Sequence, residues 1–88
     1  MKRYAIKYDK KIIGHLKKIP LDARKRIDAA ISHLASDPRP DGYKKLQGVS
    51  NLYRVRVGDY CICYEIDDAL LIIILVVVAH RKDVYDLL

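Results

Sequence analysis

Eighty-eight residues, 51% hydrophobic and 32% charged, make a single folded domain (1–88) near the lower size at which one apolar core holds without help. That balance excludes a disordered chain, and the longest apolar run, Ala69 to Ala79, is about half of the roughly 20 residues a membrane helix needs. With no charged, cleavable leader before the first periodic segment, no membrane partner and a cytoplasmic address are expected. The net charge of +6 points to nucleic acid or an acidic protein as the complement, although excess lysine also serves solubility alone.

The opening "KRYAIKYD" alternates as a strand, with Tyr4 and Ile6 on one face. Asp9 suits an N-cap, and Ile12, Ile13, Leu16 and Ile19 follow at helical spacing until Pro20. Pro20 suits the start of a second helix, whose stripe of Ile27, Ala30, Ile31 and Leu34 stops before Asp37-Pro38, because a residue preceding proline avoids the helical region. These two segments predict a helical hairpin. His15 and His33 fall within it as surface residues.

Residues 37–51, "DPRPDGYKKLQGVSN", read as a loop anchored by Leu46. From Leu52 the period changes to two, which predicts strands at 52–57, 60–66 and 69–78 joined by the two-residue connections Gly58-Asp59 and Asp67-Asp68. Strand, helical hairpin and three-stranded meander give an α+β fold, a mainly antiparallel sheet with helices on one face. The last strand is apolar on both sides, so a central place with partial cover on both faces is expected.

A two-residue turn at Gly58-Asp59 sets the register: Val57 faces Tyr60, Arg56 faces Cys61, Val55 faces Ile62 and Arg54 faces Cys63. One face then carries Tyr53, Val55, Val57, Tyr60, Ile62, Tyr64 and Ile66, suited to cover by helices. The other carries Arg54, Arg56, Cys61, Cys63 and Glu65. Two guanidiniums about 7 Å apart on an open face match the spacing of consecutive phosphates, which planar guanidinium holds in bidentate fashion. Ordinary solvated positions on an exposed sheet face are the competing explanation.

Cys61 and Cys63 lie about 6.8 Å apart if both are on one strand, at the edge of disulfide geometry, and both read as reduced thiols. Cys-x-Cys has no second pair of ligands at metal spacing, so no metal or cofactor is expected. Beyond the last strand, "HRKDVYDLL" places an imidazole, two cations and a tyrosine at one sheet edge. For His80 alone, a structural role competes with a chemical one.

Taken with "IPLDARKRIDAAISHL" and "KKLQG", the segments "YRVRVGDYCICYEIDD" and "HRKDVYDLL" resemble the RelE/ParE superfamily of toxins, in its RelE-like branch, over almost the whole chain. The resemblance implies a toxin of a type II toxin–antitoxin system: a metal-independent endoribonuclease that cuts messenger RNA in the ribosomal A site by attack of the neighbouring 2′-hydroxyl. Implied partners are the ribosome, mRNA and a cognate acidic RelB-like antitoxin, with operator DNA reached only through the antitoxin. By position, the family's site falls on Arg54, Arg56, Arg81 and Tyr85, with His80 where some relatives use an acid-base group. Lys44, Lys45 and Lys82 join Arg54 and Arg56 as expected RNA contacts. A ParE-like inhibitor of DNA gyrase without nuclease activity, and a module that represses its own operon through the antitoxin, are the alternatives.

Two departures from the family pattern bear on chemistry. Arginine stands at 54 and 56 where many relatives have lysine, and a guanidinium is a poor proton acceptor, so the pair acts by charge. Where relatives commonly read Tyr-Arg, this chain reads Tyr60-Cys61. Cys61 is then a naturally weakened site, an introduced attenuating change, or a nucleophile. As a gap in the cationic cluster, it would leave an arginine room to extend from the open face.

Overall fold

The computed structural model describes residues 3–46 and 51–88. In chain order the elements are β1 (Ala5–Lys7), α1 (Lys10–Lys17), α2 (Leu21–Ser36), β2 (Lys44–Lys45), β3 (Leu52–Val57), β4 (Tyr60–Asp67) and β5 (Ile72–His80). The strands form one mixed sheet in the order β1-β5-β4-β3-β2. Among the described residues β1 runs parallel to its neighbour and every other pair is antiparallel.

The helix boundaries follow local chemistry. The Asp9 carboxylate accepts the Ile12 N–H at 3.3 Å and caps α1, while Asp37, extended at φ −142°, ends α2 before Pro38. Ile12, Ile19, Ala23, Ile27 and Leu34 bury against Val55, Ile62, Tyr64, Ile66, Ile73, Leu75 and Val78, so both helices lie on one face. Ile13 departs from the expected stripe: it is 43% exposed, because it sits a step of about 100° round the helix from buried Ile12.

The Gly58-Asp59 hairpin has the predicted register throughout. Gly58 takes φ 60° at the first turn position, which glycine enters without the steric cost of a Cβ.

The next hairpin corrects the sequence reading. Asp67 pairs with Ile72, so residues 68–71 form a four-residue connection and β5 begins three residues later than expected. Its tip is shaped by the Asp67 carboxylate, which accepts the Leu70 N–H at 2.9 Å, and by Leu71 at φ 55°. Lys44–Lys45, expected within a loop, adds a short strand to β3, and the Leu46 N–H continues the ladder to the Leu52 carbonyl at 2.8 Å.

One irregularity shapes everything at the far end of β5. Cys63 pairs with Val77 but Tyr64 pairs with Leu75, leaving Val76 as the extra residue of a β-bulge. Side chains therefore switch parity along β5: Ile73, Leu75 and Val78 face the helices, while Val76, Val77 and Ala79 face the other way. As expected, the strand is partly covered on both faces: Ile73, Leu75 and Val78 are buried on one and Val77 on the other, where Ile74 is 39% exposed.

Candidate functional site

On the face away from the helices, β3 presents Arg54 and Arg56, with Cys63 and Cys61 opposite them on β4. Lys44 pairs with Arg54 across the other edge, so a row of Lys44, Arg54 and Cys63 crosses this face. Lys45 pairs with Tyr53 and falls on the helix-bearing face instead. Arg56 is exposed, its Nε–H turned back onto the Gly58 carbonyl at 3.3 Å. Arg54 is half-buried, and its Nε has no hydrogen-bond partner among the described residues. A buried guanidinium N–H without a partner favours an oxyanion ligand, which would satisfy donor and charge together.

The middle of this face is closed. Cys61 and Cys63 are 1% and 0% exposed, packed with Leu52, Val77 and Val84 and flanked by Leu46, Val76 and Ala79. The expected room for a long side chain at Cys61 is therefore absent, because Val84 of the C-terminal segment seats over the thiols. Burial, with Cys61 beside it, pushes the Cys63 thiol up to about 11 against a weaker opposing pull from Arg54. Cys63 stays a protonated thiol at neutral pH, and neither cysteine is placed as an accessible nucleophile.

The C-terminal segment is built from consecutive turns. The Arg81 N–H donates to the Asp59 carbonyl at 2.8 Å, which ties the end of β5 to the Gly58-Asp59 turn. The His80 carbonyl then accepts from Asp83 and Val84 at 2.8 and 3.1 Å, reversing the chain so that Val84 reaches the cysteines. Arg81, Lys82 and Tyr85 stay in solvent, Tyr85 61% exposed. These turns thus bring two cations and a free aromatic ring to the same end of the sheet as Arg56.

His80 does not join them. It pairs with Tyr60, and the two rings meet edge-to-face with centroids 5.5 Å apart on the helix-bearing side. Without the bulge, alternation along β5 would have put His80 on the arginine face. Its Nδ1 accepts the Lys82 N–H at 3.1 Å. Here it lines a cavity of about 600 Å³ with His15, Lys18, Ile19, Tyr60, Val78, Asp83 and Asp86.

His15, expected at the surface, is half-buried and accepts the backbone N–H of Val78 through Nδ1 at 3.3 Å. Its spacing held the signal: three residues after Ile12, it shares that residue's sheet-facing stripe. His33 is exposed as expected, with its side chain 61% accessible.

A family profile described as "ParE toxin of type II toxin-antitoxin system, parDE" matches residues 2–85. Toxin RelE3 of Methanocaldococcus jannaschii is 37% identical over 84 residues, covering 90% of this chain and 92% of the relative. The structure of the antitoxin–toxin complex RelB–RelE from Methanococcus jannaschii superimposes with a TM-score of 0.71 at 36% identity, covering 90% of this chain and 94% of that one. The archaeal RelE–RelB complex from Pyrococcus horikoshii gives 0.78 at 27% identity, covering 92% and 97%.

Proposed function

This chain belongs to the RelE/ParE superfamily and is the toxin of a RelBE-type toxin–antitoxin system, and from that premise we propose that it is a metal-independent endoribonuclease that cuts mRNA on the ribosome. The observation that carries the reading is Arg54 and Arg56 two residues apart on β3, facing away from the helices, with Arg81 and Tyr85 in solvent at the adjoining end of the sheet. In the reaction the RNA 2′-hydroxyl attacks the neighbouring phosphorus. The P–O5′ bond breaks, leaving a 2′,3′-cyclic phosphate and a 5′-hydroxyl; the 2′-hydroxyl proton is lost to solvent and the leaving oxygen takes one up. Negative charge grows on the phosphoryl oxygens in between, and preorganised guanidiniums stabilise it there.

In this scheme Arg54 and Arg56 hold the phosphate, Arg81 attends the leaving oxygen and Lys44 and Lys82 steer the backbone. Tyr85 stacks on a base, worth about 1–3 kcal/mol. Cys61, packed with Val77 and Val84, is part of the small core under the C-terminal turns rather than a reacting group. His80, on the opposite face, acts through the strand end that it occupies. The silencing partner is an acidic RelB-like antitoxin, in line with the RelE–RelB complexes among the structural neighbours and with the +6 charge. Among the described residues no helix is long and apolar enough to cross a membrane. Cytoplasmic action on translating ribosomes is part of the proposal.

The description of the matching family favours a second reading, a ParE-like gyrase inhibitor that acts by protein contact. Primer extension on mRNA in a translating extract, run beside a gyrase supercoiling assay, decides between them. New 5′ ends in translated codons with unimpaired supercoiling are expected. Blocked supercoiling with intact mRNA would overturn the nuclease reading.

A further inference from the structure

We propose that His15 is a positioning residue, whose Nδ1 clasps the edge of β5 beyond its pairing with β1 and so holds the strand end that presents Arg81 and the C-terminal turns. The need for a clasp is topological. Among the described residues β1 pairs with β5 at Ile72, Ile73 and Ile74, and none forms a strand beside that edge from residue 75 onward. A bare edge leaves backbone donors seeking partners, and α1 covers this one. His15 supplies the acceptor, taking the Val78 N–H at 3.3 Å two residues before His80. Strand order at that point sets the path of everything after it, since the His80 carbonyl anchors both Asp83 and Val84 and the Arg81 N–H is pinned to Asp59.

The clasp is reversible by a proton, because an imidazolium has no lone pair to accept with. The groups facing His15 are Asp9, Lys11 and Lys18 from α1 and its flanks, Tyr60 from β4, His80 from β5, and Asp83 and Asp86 from the C-terminal turns. Burial, then Lys11 and Lys18, against Asp9, hold its pKa below that of a free histidine. The clasp is therefore closed at neutral pH and opens only as acid protonates the ring.

Amide hydrogen exchange at Val78 tests the clasp directly, with no assumption about RNA. In the wild-type protein the Val78 protection factor should fall about tenfold as His15 titrates, the worth of one backbone hydrogen bond. His15→Leu should show that loss at every pH. His15→Asn, whose Oδ1 stands near the place of Nδ1, should restore protection and abolish its pH dependence. On the nuclease reading, single-turnover cleavage by the wild type should fall over the same pH range with RNA affinity unchanged, and His15→Asn should flatten that profile. Equal Val78 protection in wild type and His15→Leu would overturn the clasp, and so would a wild-type protection factor that ignores His15 titration. If the protein cuts no RNA, the nuclease reading fails while the exchange data still decide the clasp.

Discussion

The helix-bearing face of the sheet is packed by Ile12, Ile27, Leu34, Ile62, Tyr64 and Ile73, none more than 1% exposed. The opposite face is closed only by a small patch in which Val84 covers Cys61 and Cys63, and Arg56 beside it stays in solvent. One side of the same strands thus carries the stability of the domain. The other is thinly covered and carries charge, and only at its exposed positions, such as Arg56, should substitution cost the fold little. The difference arises because side chains alternate along a strand, so β3 can give Val55 to the main core and Arg54 and Arg56 to the opposite face within three residues.

The sharpest way to break this comparison is to place a charge where the thin cover lies. Cys61→Arg should lose about 3–5 kcal/mol in urea unfolding, the cost of an uncompensated buried charge, unless the C-terminal turns lift to release it. A stable variant with Val84 still seated would show that the face is more open than its packing indicates. Next comes the main core. Ile27→Ala, which empties a fully buried site between α2 and the sheet, should cost about 2–5 kcal/mol by the same measurement.

Smaller changes sharpen the contrast. Val84→Ala should cost about 1–2 kcal/mol in burial, yet it should speed modification of Cys61 and Cys63 by a thiol reagent well beyond what global unfolding allows. Tyr64→Phe tests the helix side gently. It removes the hydroxyl that donates to the Pro38 carbonyl at 2.7 Å and should cost about 0.5–1.5 kcal/mol, read as a shift in urea midpoint with no effect on thiol reactivity. Acid should weaken the fold through His15. Its folded-state pKa lies below the ordinary 6.5, so stability is whole above that value and is lost as pH falls from there towards the depressed folded value.

The sequence carried the central hairpin in full, because a two-residue connection leaves a single register and the valines and tyrosines show which face is buried. It carried both helices, whose ends are marked by Asp9, Pro20 and Asp37-Pro38. The parallel pairing of β1 to β5 was beyond reach, since nothing local in "AIK" states the direction of its neighbour. The start of β5 was misplaced because the unbroken apolar run from Ala69 hides a turn held by the Asp67 side chain and by Leu71 at positive φ. The bulge at Val76 has no sequence mark at all. That one residue decides that His80 faces the helices, on the side of the sheet away from Arg54 and Arg56.

The claim that the arginine face is the reacting face rests on a pair whose removal should spare the fold. The double variant Arg54→Ala/Arg56→Ala should fold with little change in urea midpoint and lose at least about 10²–10³-fold in mRNA cleavage in a translating extract, the usual worth of a preorganised charge donor. Cleavage within a few-fold of wild type, by a variant folded as well as the wild type, would contradict the account.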